Sequence, residues 1–249
     1  MAEFLFMQKD TEDWFAVWFN SPYYHILYKN RDHQEAAHFM DVLTSFLKLS
    51  PQTEILDLAC GKGRHAQYLN TLGFHVTGVD LSPKSIDFAK QFENDTLHFK
   101  VHDMSLPYPK RFDAVFNLFT SFGYFEKKED DIKTLKSIKQ ALKPNGVGVI
   151  DFLNVNVVQQ HLKKSETKII DGITFHIRKK IENGYILKNI KFIHNNKHYV
   201  FTERVKAIDY ASFLTYFKEA NINLLNCFGD YQLNPFSENS SERLILIFN

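Results

Sequence analysis

The most constraining feature of this 249-residue chain is a change of hydrophobic pattern near residue 54. Over residues 54–153, short apolar runs alternate with amphipathic segments of helical spacing. This alternation predicts a parallel sheet, because each helix carries the chain back across a face of the sheet to the next strand. The strands are predicted at residues 55–60, 75–81, 97–101, 112–119 and 146–153.

Different patterns flank this region. Residues 1–50 include apolar side chains at helical spacing between positions 35 and 47, and this segment is predicted to form a helical arm or lid. Residues 155–206 contain alternating segments separated by Asn-Gly and Asn-Asn pairs, which favour tight hairpin turns. An inserted antiparallel sheet is the simplest interpretation, with strands at residues 167–181, 184–194 and 197–208.

Two more strands complete the predicted fold. Asp209 caps a helix over residues 210–220, and apolar runs follow at 222–231 and 243–249. The prediction is an α/β protein with a doubly wound, seven-stranded, mostly parallel sheet, an inserted antiparallel β-sheet and an N-terminal helical lid. The predicted domains are an arm (1–50), a main domain (51–154 and 207–249) and an inserted sheet (155–206).

Charge and cysteine content narrow the function. The 30 basic and 29 acidic residues give a formal charge of +1, which provides no overall field for nucleic acid or an anionic membrane. Cys60 and Cys227 are too few for a disulfide framework, and neither they nor the histidines have metal-ligand spacing. No stretch reaches the ~18 apolar residues of a membrane-spanning helix. We expect a cytoplasmic protein without a metal, acting on a small molecule and not on nucleic acid.

A glycine-containing turn, Leu-Ala-Cys-Gly-Lys-Gly-Arg-His at residues 58–65, joins the first predicted strand to its helix. Gly61 and Gly63 allow a ligand to approach the backbone where a Cβ atom would collide. A cofactor-binding turn is therefore predicted.

Acidic residues end the next two strands. Asp80 is placed where a carboxylate can accept hydrogen bonds from both hydroxyls of a ribose, and Asp103 can accept from an adenine amino group. Leu81 and Met104 can flank the adenine ring. Because the carboxyl ends of parallel strands share one sheet edge, these residues are expected to face one crevice.

Two cofactor classes fit these spacings. Gly61-x-Gly63-x-x-Ala66 satisfies the dinucleotide fingerprint, and Asp80 lies at a suitable distance from it. However, Asp57 lies inside the first strand, where its charge would repel a pyrophosphate and attract an ammonium or sulfonium. Charge therefore favours a sulfonium cofactor, and an NAD-dependent oxidoreductase stays as the alternative.

The order of these motifs resembles the class I S-adenosylmethionine-dependent methyltransferases. The resemblance extends over residues 55–152 and runs through DLACGKG, GVDLS, HDM, FDAVFNLFTSFGYF and LKPNGVGVIDF. With its inserted sheet and the Tyr-Lys-Asn-Arg segment at residues 28–31, the chain is similar to the sugar N,N-dimethyltransferases. This resemblance implies a Rossmann-like fold, S-adenosyl-L-methionine as the cofactor, and methyl transfer to a nitrogen or oxygen of a small-molecule acceptor.

The same resemblance implies roles for individual residues. Tyr28 and Arg31 would close over the methionine carboxylate of the cofactor. The family often has a glycine where Ala59 stands, a small departure. Along the methionine part would lie Ala59, Cys60 and Gly61, while Asp80 would hold the ribose and Asp103 with Met104 would meet the adenine.

Residues 117–125 follow the fourth strand, at the edge where open α/β sheets bind substrates. Asn117 and Phe119 are expected beside the cofactor. Phe122, Tyr124 and Phe125 are candidates to flank a cationic or hydrophobic acceptor, with packing in the core as the other interpretation. The segment lacks the Asn/Asp-Pro-Pro-Tyr/Phe pattern of enzymes that methylate nucleic-acid bases or glutamine.

The proton acceptor is the least constrained part of the site. Methyl transfer depends chiefly on the alignment of the reacting groups, so positioning residues matter more than a base. Asp151 is the first candidate base and His102 the second, with Asn154 as a substrate contact. A protein that binds the cofactor without catalysis is a further alternative, and the inserted sheet is a candidate homodimer surface.

Overall fold

Two β-sheets organise the part of the chain that the computed structural model describes, which is residues 5–7, 14–29 and 33–249. One sheet has seven strands and the other has five. In chain order the elements are β1 (Leu5–Met7), α1 (Trp14–Phe19), α2 (Pro22–Leu27), α3 (His33–Phe46), β2 (Glu54–Leu58), α4 (Arg64–Thr71), β3 (His75–Asp80), α5 (Pro83–Ala89), a 3-10 helix (Lys90–Phe92), β4 (Leu97–Val101), β5 (Phe112–Asn117), α6 (Lys128–Gln140), β6 (Leu142–Leu153), α7 (Val155–Gln160), β7 (Ser165–Ile170), β8 (Ile173–Glu182), β9 (Tyr185–His194), β10 (Lys197–Lys206), α8 (Tyr210–Glu219), β11 (Leu224–Phe228) and β12 (Arg243–Phe248).

The seven-stranded sheet has the order β11-β12-β6-β5-β2-β3-β4. Its strands β2 to β6 pair in parallel, and β12 pairs antiparallel with both β6 and β11. The predicted seven-stranded, mostly parallel α/β sheet is confirmed.

Helices cover both faces of this sheet, which explains why its central strands are apolar on both sides. In β2, Leu56 and Leu58 pack in the cluster that contains buried residues of α6 and α8. Ile55 points to the opposite face, in the cluster that contains Phe39 of α3 and Leu69 of α4. Because successive strand residues alternate between faces, Asp57 shares the face of Ile55.

The five-stranded sheet has the order β1-β10-β9-β8-β7, with antiparallel pairs from β7 to β10 and β1 parallel to β10. The prediction of one strand over residues 167–181 was wrong, because Asp171 and Gly172 form a two-residue turn between β7 and β8. Both residues have positive φ, 51° and 77°, as a two-residue hairpin turn requires. The turns 183–184 and 195–196, predicted from their Asn and Gly residues, have the same feature.

The N-terminal helices pack on different parts of the molecule. In α1 and α2, Trp18 and Leu27 are buried against Phe175, Phe192 and Phe201 of the five-stranded sheet. Helix α3 instead packs on α4 beside the main sheet. The predicted domain boundaries remain a prediction. None of the helices in the described part of the chain has both the length and the apolar character needed to cross a membrane.

Candidate active site

A cavity of about 930 Å³ opens where the carboxyl ends of β2, β3 and β4 meet α1, α2 and β10. Its size is near the upper end of the ~300–1,000 Å³ found for ligand pockets. Most of the site residues predicted from the sequence line it. They are Tyr28, Asp57, Ala59, Cys60, Gly61, Asp80, Leu81, His102, Asp103, Met104, Phe119, Tyr124 and Phe125.

The turn between β2 and α4 brings its backbone into the cavity. Ala59, Gly61 and Gly63 all have left-handed φ values, 64°, 57° and 80°. Gly63 itself lies outside the cavity lining, and a Cβ atom there would stand 2.5 Å from Cε1 of Phe99. Gly63 therefore lets the turn close against β4, while Ala59 and Gly61 face the cavity.

Asp80 ties the ends of β2 and β3 together. Its Oδ2 accepts a hydrogen bond from the backbone N–H of Gly61 at 2.8 Å, and its Oδ1 accepts one from Ser82 N–H at 2.8 Å. Burial raises the pKa of Asp80, and these two backbone donors oppose the rise. Each carboxylate oxygen has a second acceptor position. Asp80 can therefore fix the turn and still accept from a ligand hydroxyl.

Asp57 is a buried acid in the cavity wall. Its Oδ2 has no hydrogen-bond partner among the described residues. Burial raises the pKa of Asp57 to about 7, a hydrogen bond from the backbone of Ala66 opposes the rise, and the charge of Asp80 adds to it. Leaving a buried carboxylate without a partner is unfavourable. A cationic group bound in the cavity would compensate this charge.

The end of the cavity at β4 combines apolar and acidic side chains. Leu81 is exposed to the cavity and Met104 packs against the core. Asp103 Oδ1 accepts from Ser105 N–H at 2.8 Å, and His102 Nε2 lies 3.0 Å from the carbonyl oxygen of Leu106. These residues suit a flat, apolar ring with polar edges.

Residues 55–146 match the family model of the methyltransferase domain. The chain is 38% identical over 107 residues to the putative methyltransferase YqeM of Bacillus subtilis, which covers 41% of this chain and 43% of that protein. It is 29% identical over 131 residues to the dTDP-3-amino-3,4,6-trideoxy-alpha-D-glucopyranose N,N-dimethyltransferase of Streptomyces venezuelae, which covers 51% and 54% of the two. The chain spans about half the length of these curated relatives.

A solved structure extends the likeness of fold to most of the chain. The crystal structure of an S-adenosylmethionine-dependent methyltransferase from Clostridium acetobutylicum superimposes with a TM-score of 0.75 at 21% identity, over 91% of this chain and 95% of that one. Residues 55–146 thus carry a methyltransferase domain, and the chain has the fold of the S-adenosylmethionine-dependent methyltransferases. The predicted resemblance is confirmed, the comparisons support S-adenosyl-L-methionine as the cofactor, and the dinucleotide alternative is not favoured.

The lining of the cavity suits S-adenosyl-L-methionine. Asp57 Oδ2, which has no partner among the described residues, would face the positively charged methionine part, and Asp80 would accept from the ribose hydroxyls. Among the described residues, no group of three or more His, Cys, Asp or Glu side chains could hold a metal ion.

Asp151, the predicted base, does not line the cavity. Its Oδ1 accepts from Nε of Arg243 at 2.8 Å and its Oδ2 from the backbone N–H of Phe119 at 2.8 Å. Its side chain is fully buried. The antiparallel pairing of β12 with β6 brings Arg243 to this carboxylate, so Asp151 has a structural role.

Three other predicted residues also lie outside the cavity lining. Phe122 is fully buried, with its ring centroid 5.7 Å from that of Phe213 in the core. Asn154 caps α7 and donates to the carbonyl oxygen of Ser241 at 2.7 Å. Asn117 is buried and donates to the carbonyl oxygen of Leu58 at 3.0 Å, which supports the start of the glycine turn. Arg31 lies outside the described residues.

Most of the aromatic side chains that line the cavity were not predicted from the sequence. Four of these rings come from α1 and α2, and together with three predicted residues they form a group that we call the aromatic wall. The aromatic wall comprises Trp14, Phe15, Phe19, Tyr24, Tyr28, Tyr124 and Phe125. The Trp-Phe-Ala-Val-Trp-Phe segment of α1 was the available signal, but the sequence pattern did not show which sheet it would pack on.

Several polar residues of the cavity were also missed, and Glu203 and His25 are two of them. Glu203 of β10 lines the cavity and accepts a hydrogen bond from the hydroxyl of Tyr28 at 2.6 Å. His25 of α2 lines it as well, and burial lowers the pKa of this imidazole to about 4. His25 is therefore neutral near pH 7. His25 belongs to the predicted arm or lid and Glu203 to the predicted inserted sheet, and neither prediction indicated a residue that faces a cavity.

Proposed function

We propose that this protein transfers a methyl group from S-adenosyl-L-methionine to a nitrogen or oxygen atom of a small molecule. The observation that carries the proposal is the division of one cavity into two zones. Acidic side chains and the glycine turn line one zone, and the aromatic wall lines the other. A cofactor and an acceptor can therefore lie side by side in it.

The first zone is suited to hold the cofactor. Asp57 would face the positive charge of the cofactor's methionine part, and Asp80 would accept hydrogen bonds from its ribose. Leu81 and Met104 would flank its adenine ring. S-adenosyl-L-methionine supplies a methyl group that is already activated on a cationic sulfur atom. The chain's remaining task is to position the acceptor and to exclude water.

The second zone is suited to that task. The ring of Tyr124 lies 5.5 Å from that of Trp14 and 5.5 Å from that of Phe19, measured between centroids. The ring centroids of Phe15 and Phe125 lie 6.2 Å apart. Packed rings of this kind present a rigid apolar surface, which orients an acceptor and displaces water from it.

The competing functions make different predictions. An NAD-dependent oxidoreductase would place a pyrophosphate near Oδ2 of Asp57, which has no partner among the described residues, and this arrangement is electrostatically unfavourable. A protein that binds the cofactor without catalysis would share the first zone and would not release S-adenosylhomocysteine in the presence of any acceptor.

Thermal-shift titrations with S-adenosylmethionine, S-adenosylhomocysteine and NAD test the cofactor. A ligand at 100 times its Kd adds about 2.7 kcal/mol to the stability of the folded state. We expect the melting temperature to rise with both adenosyl ligands and not with NAD. A rise with NAD alone would overturn the proposal.

A screen of amines, amino sugars and hydroxylated metabolites, read by S-adenosylhomocysteine release, then tests methyl transfer. Release with at least one small acceptor is expected. If the protein binds the cofactor and no acceptor in the screen gives release, the binding function replaces the enzymatic one.

Three further predictions accompany this proposal. The protein is expected to act in the cytoplasm, to bind no nucleic acid, and to form a homodimer through the inserted sheet. Ile169 and Ile193, at 74% and 56% exposure, lie on that sheet. Sedimentation velocity of the wild type and of an Ile169→Lys variant measures the oligomeric state, and two monomeric proteins would contradict the predicted dimer.

A further inference from the structure

Glu203 places a carboxylate beside the aromatic wall. Its Oε1 accepts from the hydroxyl of Tyr28 at 2.6 Å and from Nε1 of Trp18 at 2.8 Å. The side chain is 16% exposed and lines the cavity. These two donors fix the orientation of the carboxylate, while Oε2 receives neither of them.

The rings of the aromatic wall continue from Glu203 toward the segment after β5. The ring of Tyr28 is 4.9 Å from that of Tyr24, which is 4.9 Å from that of Phe19. Phe19 in turn lies 5.5 Å from Tyr124. Aromatic faces carry partial negative charge and attract cations. A carboxylate at the edge of such a surface strengthens that attraction.

Three lysines near this zone each have a partner, and the partner of Lys188 is Glu203 itself. Lys188 lies 3.5 Å from Oε2 of Glu203 and over the ring of Tyr28, and burial lowers the pKa of this lysine. Lys29 pairs with Asp171, and Lys62 lies over the ring of Phe88. Lys188 is thus the nearest countercharge to Glu203, and a bound cation would share the carboxylate with it.

We propose that Glu203 and the aromatic wall form a site for a cationic nitrogen, so that the methyl acceptor is a basic amine. This inference rests on the proposed methyl transfer and selects nitrogen over oxygen. A basic amine is mostly protonated near pH 7 and binds to this site as a cation. It first releases a proton to water; its lone pair then forms the bond to the methyl carbon, and the carbon–sulfur bond breaks with its electron pair left on sulfur. The nitrogen becomes positively charged until it releases a proton, where it carries one, to water.

Glu203 and the rings stabilise that new charge, whereas they would oppose the negative charge of an oxygen nucleophile. A group that stabilises charge as it develops lowers the barrier of the reaction. The same surface would also bind a quaternary ammonium compound, which resembles the methylated product.

Isothermal titration with choline and with neohexyl alcohol, in which carbon replaces the quaternary nitrogen, tests this site. Both probes are titrated into the protein with and without S-adenosylhomocysteine, so the result does not depend on cofactor binding. We expect choline to bind about 10-fold more tightly than the alcohol. Equal affinities, or no measurable binding of choline, would overturn the proposal even if methyl transfer is observed.

Two variants assign the selectivity to Glu203. Glu203→Gln is expected to weaken choline binding about 10-fold and to leave the alcohol unchanged. Glu166→Gln is the matched control, because Glu166 is 15% exposed, pairs with Lys179 on the same sheet and lies outside the cavity lining. Equal choline affinities for the two variants would show that Glu203 does not contribute to choline binding. The comparison of the two probes on the wild type stands whether or not Glu203→Gln folds.

Discussion

Arg243 donates from Nε to Oδ1 of Asp151 at 2.8 Å, and this ion pair holds the loop that follows β5. Asp151 accepts from Phe119 N–H through its side chain and from Thr120 N–H through its carbonyl oxygen. Arg243 also donates to Oγ1 of Thr120 at 3.0 Å. Phe119 and Thr120 both have left-handed φ values, 55° and 63°, which cost about 1 kcal/mol or more each. The pair therefore stabilises a strained loop that lines the cavity.

Asp151→Asn is expected to lower the free energy of unfolding by about 3–5 kcal/mol, because it leaves the charge of Arg243 buried without its counter-ion. Urea unfolding measures this loss. Glu219→Gln breaks the exposed pair between Lys128 and Glu219 and serves as the control, with an expected loss below about 1 kcal/mol. Similar losses in both variants would show that the buried pair contributes no more than an exposed one.

The affinity for S-adenosylmethionine is expected to fall with decreasing pH below about 7. The pKa of Asp57 is raised to about 7, and only its ionised form attracts the positive charge of the cofactor. Each pH unit below that pKa then weakens binding by up to about 10-fold. Isothermal titration between pH 5.5 and 8 measures the effect. Asp57→Asn should bind weakly at every pH, and an unchanged pH profile in this variant would contradict the assignment.

Without cofactor, Asp57 is expected to make the fold less stable as pH rises. Its folded pKa of about 7 lies above the ordinary value near 3.8, so the folded state holds a proton that the unfolded chain loses. The resulting stabilisation is complete below pH ~4 and is lost as pH rises through 7. Urea unfolding of the wild type and Asp57→Asn from pH 4 to 8 measures it. Asp131, whose pKa is raised to about 6, titrates in both proteins, so the difference between them reports Asp57. A difference that does not change with pH would refute this prediction.

Asp80→Asn is expected to weaken cofactor binding roughly 10- to 100-fold, because the amide loses the charge and directs a donor toward Gly61 N–H or Ser82 N–H. Asp209→Asn is the control, since asparagine caps a helix as well as aspartate does. Equal cofactor affinities of the two variants would show that Asp80 does not bind the ribose.

Gly63→Ala is expected to destabilise the protein by about 2–4 kcal/mol, and Gly172→Ala by about 1 kcal/mol. The two glycines have similar φ values, 80° and 77°, but a Cβ at Gly63 meets Phe99 at 2.5 Å whereas one at Gly172 meets nothing within 4 Å. Their difference in denaturant midpoint therefore isolates the clash. Phe99→Leu in the Gly63→Ala background should recover part of the loss, and no recovery would point to backbone strain alone.

Local patterns predicted the main sheet and most of the residues that line the cavity at the ends of β2, β3 and β4. The apolar runs predict buried strands. Asp80 lies at the carboxyl end of β3 and Asp103 just after that of β4, and parallel pairing brings these two ends to the same edge of the sheet. The role of Asp151 could not be predicted in this way, because Arg243 comes from a strand that pairs with β6 across the whole insertion.

The positions of the aromatic wall and of Glu203 depend on long-range contacts that short sequence patterns do not encode. Phe122 and Tyr124 are two residues apart, yet the first is buried in the core and the second lines the cavity. Glu203 reaches the cavity only because α1 and α2 pack on the five-stranded sheet. Those contacts join residues more than 150 positions apart.

The pairing of β12 with β6 bears on the order in which parts of the chain fold. Residues 154–242, which include the insertion at 155–206, separate them in the chain, and closing so long a loop carries an entropic cost that grows with its length. The hairpins from β7 to β10 close through two-residue turns and form within microseconds. Once formed, they bring the ends of the insertion to a fixed separation, so β12 meets β6 as part of a shorter flexible loop. We therefore expect the hairpins to fold early and the Asp151–Arg243 contact to form late, so that the last event of folding completes the loop beside the cavity.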